Sequence, residues 1–192
     1  MPARKQKIQI LALLLVGCLL CVGPGAHADE APTAATIEDG IADATNALHA
    51  ADYGRAISRL ENLQADGRWE IPFWLGTAYL LDGQLENAAL MLDDALALQS
   101  EIVEIWVQRA VVAQEQLQPQ VALQFLEVAA QVDADFPLTF LNVGIAYESL
   151  GDLQNARGAY GRFLKLSSAG SETSRVRRLR RDVLTRIAQS GS

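Results

Sequence analysis

The feature that most constrains this chain is a pattern that returns every 34 residues. Leu75-Gly76, Tyr79, Ala88, Leu92 and Ala95 become, one period on, Arg109-Ala110, Ala113, Ala122, Leu126 and Ala129. After a further period they become Val143-Gly144, Tyr147, Ala156, Tyr160 and Phe163. Trp106 and Phe140 are also one period apart. Small residues recur where two helices must approach closely, and large ones recur where the gap between them must be filled. A period of this length marks stacked units of supersecondary structure, none of which can bury its apolar face alone.

A weaker copy precedes these. Ala51-Asp52-Tyr53-x2-Ala56-x3-Leu60 matches Gly83-Gln84-Leu85-x2-Ala88-x3-Leu92 and Gly151-Asp152-Leu153-x2-Ala156-x3-Tyr160, each marking a tight turn and the entry to a second helix. The spacing resembles the tetratricopeptide (TPR) pattern W-x2-L-G-x2-Y…A-x3-F…P, and the chain looks like an exported bacterial member of that family. It departs from the pattern at Arg109, at Phe163 in place of a small residue, and in the missing terminal proline of each copy. The resemblance implies an all-α, superhelical solenoid of about four antiparallel helix pairs, over residues 37–68, 69–102, 103–136 and 137–170.

Local signals fit that layout. Thr36-x-x-Asp39 reads as a capping box after a linker over residues 29–36. Gly83 and Gly151 suit left-handed turns between helices, and Pro72, Pro119 and Pro137 suit helix starts. Residues 171–192 read as a basic capping helix and tail. Val176, Leu179, Val183 and Ile187 form its apolar stripe against the last repeat, with arginines on the other side.

The first residues read as processing chemistry. Arg4, Lys5 and Lys7 precede the uncharged run Ile10 to Val22, which has the length of a signal-peptide core and falls short of the roughly 18 residues a membrane span needs. Gly23 and Pro24 end the run, and Ala26-His27-Ala28 supplies a small-x-small cleavage pattern. Residues 1–28 are therefore expected to be a signal peptide cleaved after Ala28, leaving a periplasmic or otherwise exported protein. An uncleaved membrane anchor is a lesser alternative. A third is a lipoprotein anchored at Cys18, through the lipobox-like Leu15-Val16-Gly17-Cys18; against it, Leu19 to Val22 continue the apolar run where lipoproteins turn polar. Cys18 and Cys21 are the only cysteines, so a chain cleaved after Ala28 has no disulfide and must rely on packing.

Charge is uneven. Asp29 to Asp135 carries four arginines against 19 acids, whereas Pro137 onward carries nine basic residues against Glu148, Asp152, Glu172 and Asp182. An acidic chain lacks the concentrated basic face that nucleic acid requires, so none is expected as a partner. His49 is the only histidine after the leader, which argues against histidine metal clusters and catalytic His–Cys pairs. No glycine-rich phosphate loop occurs. Carboxylate pairs such as Asp93-Asp94 and Glu101/Glu104 read as solvated helix surface, and Trp69, Trp74 and Trp106 as core or interface. No enzyme activity and no cofactor are expected.

The resemblance implies a protein-binding adaptor or scaffold of the cell envelope, with the first helix of each pair lining a concave groove. Reading the register onto that face gives Glu70, Phe73, Trp74, Thr77 and Leu80 from the second repeat and Glu104, Val107, Val111 and Gln114 from the third. Leu138, Leu141, Ile145 and Glu148 come from the fourth. With no lysine or arginine on it, this face is expected to take an apolar or amphipathic segment with basic residues rather than an acidic tail. Arg175, Arg177, Arg178 and Arg181 are dense enough to touch an anionic membrane, though a solvated helix face is the plainer reading. The alternative function is a structural module that self-assembles head to tail through its acidic front and basic back, so a homo-oligomer is also a candidate partner.

Overall fold

The computed structural model describes residues 34–63, 67–167 and 174–189; the expected signal peptide lies outside them. All regular structure among the described residues is α-helical, in antiparallel pairs followed by a single C-terminal helix. The chain forms two compact units, divided between Ser100 and Glu101.

The first unit holds α1 (Ala34–His49), α2 (Tyr53–Glu61), α3 (Glu70–Asp82) and α4 (Leu85–Leu98). α1 packs on α2, α3 on α4, and α3 also rests against both α1 and α2. That last contact joins one pair to the next. α3 is buried continuously from Ile71 to Ala78, as expected of a helix without a polar face. Its partner can approach because Gly76 has no side chain: a Cβ there would lie 2.7 Å from Leu92 Cγ. Gly40 plays the same part in α1, facing Leu63.

Helix ends follow local chemistry. Asp52 caps α2 by accepting from the Arg55 N–H at 3.2 Å. Gly83 ends α3 at φ +87°, with Gln84 N–H donating to Tyr79 O and Gly83 N–H to Leu80 O. The expected capping box is not a helix start. α1 begins at Ala34, two residues before Thr36, because Ala34 and Ala35 are strong helix formers and carry the helix past the threonine.

The second unit holds α5 (Val103–Glu115), α6 (Pro119–Val132), α7 (Pro137–Ser149), α8 (Leu153–Ser167) and α9 (Ser174–Gln189). Pro119 and Pro137 occupy the first positions of their helices, where a missing N–H is harmless. α7 packs on α5, α6 and α8, so the joining contact of the first unit recurs. Ala110, Ala113, Ala122, Leu126, Ala129, Ala146 and Ala156 are among its buried residues.

The departures from the repeat pattern are accommodated. Arg109 lays its guanidinium 4.6 Å from the centre of the Phe125 ring, beside Trp106. Phe163 is buried. Tyr160 fills the space over Gly144, where a Cβ would lie 2.3 Å from the ring. α9 packs on α8 and buries Val183. The side chains of Val176 and Leu179 lie outside the described residues.

Candidate functional site

On α3 the expected contact face is largely spent on the fold. Phe73, Trp74, Thr77 and Leu80 are all at most 3% exposed. Trp69 and Trp74 pack edge-on against Phe73, with ring centres 5.8 and 5.1 Å away. Thr77 Oγ1 donates to Phe73 O at 2.9 Å. Glu70 reaches the surface and accepts from Arg68 at 3.1 Å. The expectation that these apolar side chains line an open strip is therefore corrected: they fill the core, and Glu70 remains half-buried.

The second unit repeats the correction and leaves more behind. Val107, Val111 and Leu141 are buried in the helix stack. Glu104, Gln114, Leu138, Ile145 and Glu148 are partly exposed. Gln114 Nε2 donates to Asn142 O at 2.9 Å, tying α5 to α7. What the expected contact face leaves at the surface here is thus two carboxylates, one amide and two aliphatic side chains. No lysine or arginine belongs to that set.

Glu148 is already occupied. Its Oε2 accepts from Tyr160 OH and from Arg186 Nη1 of α9, each at 2.5 Å. Burial pushes the Tyr160 phenol well above its ordinary value; the Glu148 carboxylate adds to the rise and Arg186 partly opposes it. For Arg186, burial alone would lower the guanidinium, and Glu148 with Tyr160 outweighs this, so it stays firmly charged. Arg186 thus departs from the expectation that arginines lie on the side of the C-terminal helix away from its apolar stripe. The spacing carried the signal: Arg186 is three residues beyond Val183, on the flank of the apolar stripe rather than opposite it.

Of the other arginines expected on an anionic surface, Arg181 is exposed, and the side chains of Arg175, Arg177 and Arg178 lie outside the described residues. His49 ends α1 and is exposed. No group of three or more His, Cys, Asp or Glu side chains able to hold a metal ion occurs among the described residues.

No protein-family model matches the chain, and no curated protein sequence is similar to it. Solved structures are. A thermophilic TPR protein of Thermus thermophilus, TTC0263, superposes with a TM-score of 0.63 at 21% identity, covering 77% of each chain. The crystal structure of MamA gives 0.59 at 18% identity, over 77% of this chain and 91% of that one. The first TPR of Spaghetti (RPAP3), bound to the HSP90 peptide SRMEEVD, gives 0.53 at 17% identity, over 62% of this chain and 93% of that one. The paired helices, their joining contacts and these superpositions give the chain the fold of the tetratricopeptide-repeat proteins.

Proposed function

We propose that the protein is a non-catalytic interaction adaptor of the cell envelope, binding an amphipathic, basic segment of a protein partner on the first-helix face of its second unit. The observation that carries this reading is the Arg186–Glu148 pair. This face already takes a guanidinium from an amphipathic helix, the chain's own α9. A partner helix would offer the same chemistry to Glu104 and lay apolar side chains on Leu138 and Ile145. The peptide held by the Spaghetti TPR is SRMEEVD, rich in acids near its end; the carboxylate at Glu104 would repel such a sequence here, and Glu148, paired with Arg186, would offer it no positive charge.

The leader reading puts this function outside the cytoplasm, after cleavage at Ala28. No described helix is long and apolar enough to cross a membrane. The exposed Arg181 supports a peripheral contact with anionic lipid as part of the same role. Vesicle binding that survives Arg177→Gln, Arg178→Gln and Arg181→Gln together would remove that part.

Crosslinking and recovery from the native envelope test the main reading. Glu104→Lys with Ile145→Glu alters two surface residues and should leave helicity and cooperative melting intact while abolishing partner recovery. Undiminished recovery with that folded variant refutes the assigned face.

A further inference from the structure

The outer face of α4 carries exposed leucine among acids. Leu90 is 61% exposed, and Leu98 is exposed further along. Glu86 lies four residues before Leu90, and Asp93 and Asp94 lie three and four after it. All three are exposed, and at that spacing they share the face of Leu90. No lysine, arginine or histidine occurs from Trp69 to Gln108, so nothing on α3 or α4 neutralises these carboxylates. A second α4 face would bring like charges together, so what covers this one must be basic.

The same chain carries the reciprocal face on α9. Leu184 is 55% exposed, and Arg181, three residues before it, is exposed as well. α9 is fastened from its other side, where it packs on α8, buries Val183 and pairs Arg186 with Glu148. Asp182 is the one acid of the helix. It lies about 100° round the helix from Arg181 and about 160° from Leu184, so it stands off this face.

Register selects the occupant. Asp93 and Asp94 follow Leu90 by three and four residues, whereas Arg181 and Arg180 precede Leu184 by three and four. Two helices laid antiparallel with leucine on leucine therefore set the aspartate positions against the arginine positions. Glu86 then falls opposite Ala188, which is exposed and uncharged. The two faces match in spacing and oppose in sign and direction, as complementary surfaces must. We propose that the acidic face of α4 takes the outer face of α9 from a second copy of this chain. Such a contact joins unlike surfaces, so each copy keeps one face for the next. The first-helix face of the second unit takes no part, so partner recovery and self-association can fail separately. Arg181 serves lipid or a second copy, not both at once, and the test is made without lipid.

The test is sedimentation of the purified protein over a wide concentration range, at low and at high salt. At low salt the mass should rise with concentration above that of the monomer, and high salt should reverse the rise. Asp94→Arg and Arg181→Asp each change an exposed side chain and should leave the melting temperature unchanged. Each alone should weaken association by about tenfold or more. An equal mixture of the two variants should restore it, because every contact between unlike copies again joins opposite charges. A protein that stays monomeric at low salt overturns the proposal, as does association that high salt leaves intact. Association that either variant keeps at wild-type strength, or that the mixture fails to restore, overturns it equally.

Discussion

Adding one methyl group to each of two helical glycines should shift stability in opposite directions. Gly144 lies in α7 and Gly158 in α8, the two helices of one pair. In either helix, Gly→Ala removes backbone freedom from the unfolded chain and favours folding by about 1 kcal/mol. At Gly158 nothing lies within 4 Å of the new Cβ, so that gain stands alone. At Gly144 the Cβ would lie 2.3, 2.4 and 2.9 Å from three ring carbons of Tyr160. The ring cannot simply swing aside, because it is 2% exposed and its hydroxyl is held by Glu148. Either α7 and α8 separate or the tyrosine leaves its rotamer.

Overpacking of this kind costs about 1–3 kcal/mol, and contacts so short against a held ring belong at the upper end. After the helix gain of about 1 kcal/mol, Gly144→Ala should destabilise by about 2 kcal/mol. Urea melts followed by helical circular dichroism measure both variants. Gly158→Ala should unfold at higher urea than wild type, and Gly144→Ala at lower. A Gly144→Ala protein as stable as Gly158→Ala would refute the close approach of α7 and α8 as the reason for a small residue at that place in the repeat.

Three further outcomes follow from the buried polar groups. Tyr160→Phe leaves Arg186 to hold Glu148 alone and should cost about 1–2 kcal/mol, read as a lower urea midpoint at neutral pH. Below the ordinary tyrosine value of about 10 both states are protonated; above it the unfolded phenol ionises first, since the folded pKa is raised. Stability should therefore fall as pH rises past about 10, and less steeply in Tyr160→Phe. Tyr79, pushed up to about 12 chiefly by its hydrogen bond to Glu61, acts in the same direction from a more exposed position. Thr139 is fully buried and its Oγ1 has no hydrogen-bond partner among the described residues, so Thr139→Val should leave the melting midpoint unchanged or raise stability by up to about 1 kcal/mol. A clear loss of stability would mean that the hydroxyl is bonded.

The pairing of helices was legible because small and large residues recur at positions that force it: Gly76 against Leu92, Gly144 against Tyr160. The openness of the first-helix faces was not. Periodicity says which residues share a face; it does not say which faces another helix covers. α3 has no polar side from Ile71 to Ala78, so neither edge of it declares itself exposed, and Phe73 and Leu80 read equally well as groove or core. In α7 the partly polar set Leu138, Ile145 and Glu148 lies beside buried Leu141, and only the packing separates them. The turn residue Leu117, at φ +62°, was hidden for the opposite reason. Its φ is imposed by the turn, and a leucine gives no hint of a positive value.

The end of the chain limits what the acidic face can do. Arg186 and Tyr160 both draw on one oxygen of Glu148, and a carboxylate satisfied in this way has little to offer an incoming charge. A basic ligand must therefore either use Glu104 or displace Arg186. Displacement would strip a half-buried guanidinium of its carboxylate and free the helix that buries Val183, a penalty set against every contact the ligand makes. Docking that spares α9 is the less costly course, and under the proposed function it would put the ligand's charge at Glu104 and its apolar side chains at Leu138 and Ile145. Arg186→Gln separates the two routes. It removes the competitor and leaves Glu148 open, so a ligand that docks beside α9 should bind about as before, and one that displaces α9 should bind more tightly. Titration of a basic amphipathic peptide into both proteins reads the difference. Tighter binding to Arg186→Gln, with Glu104→Gln without effect, would refute the route through Glu104 and make Glu148 the ligand's true contact.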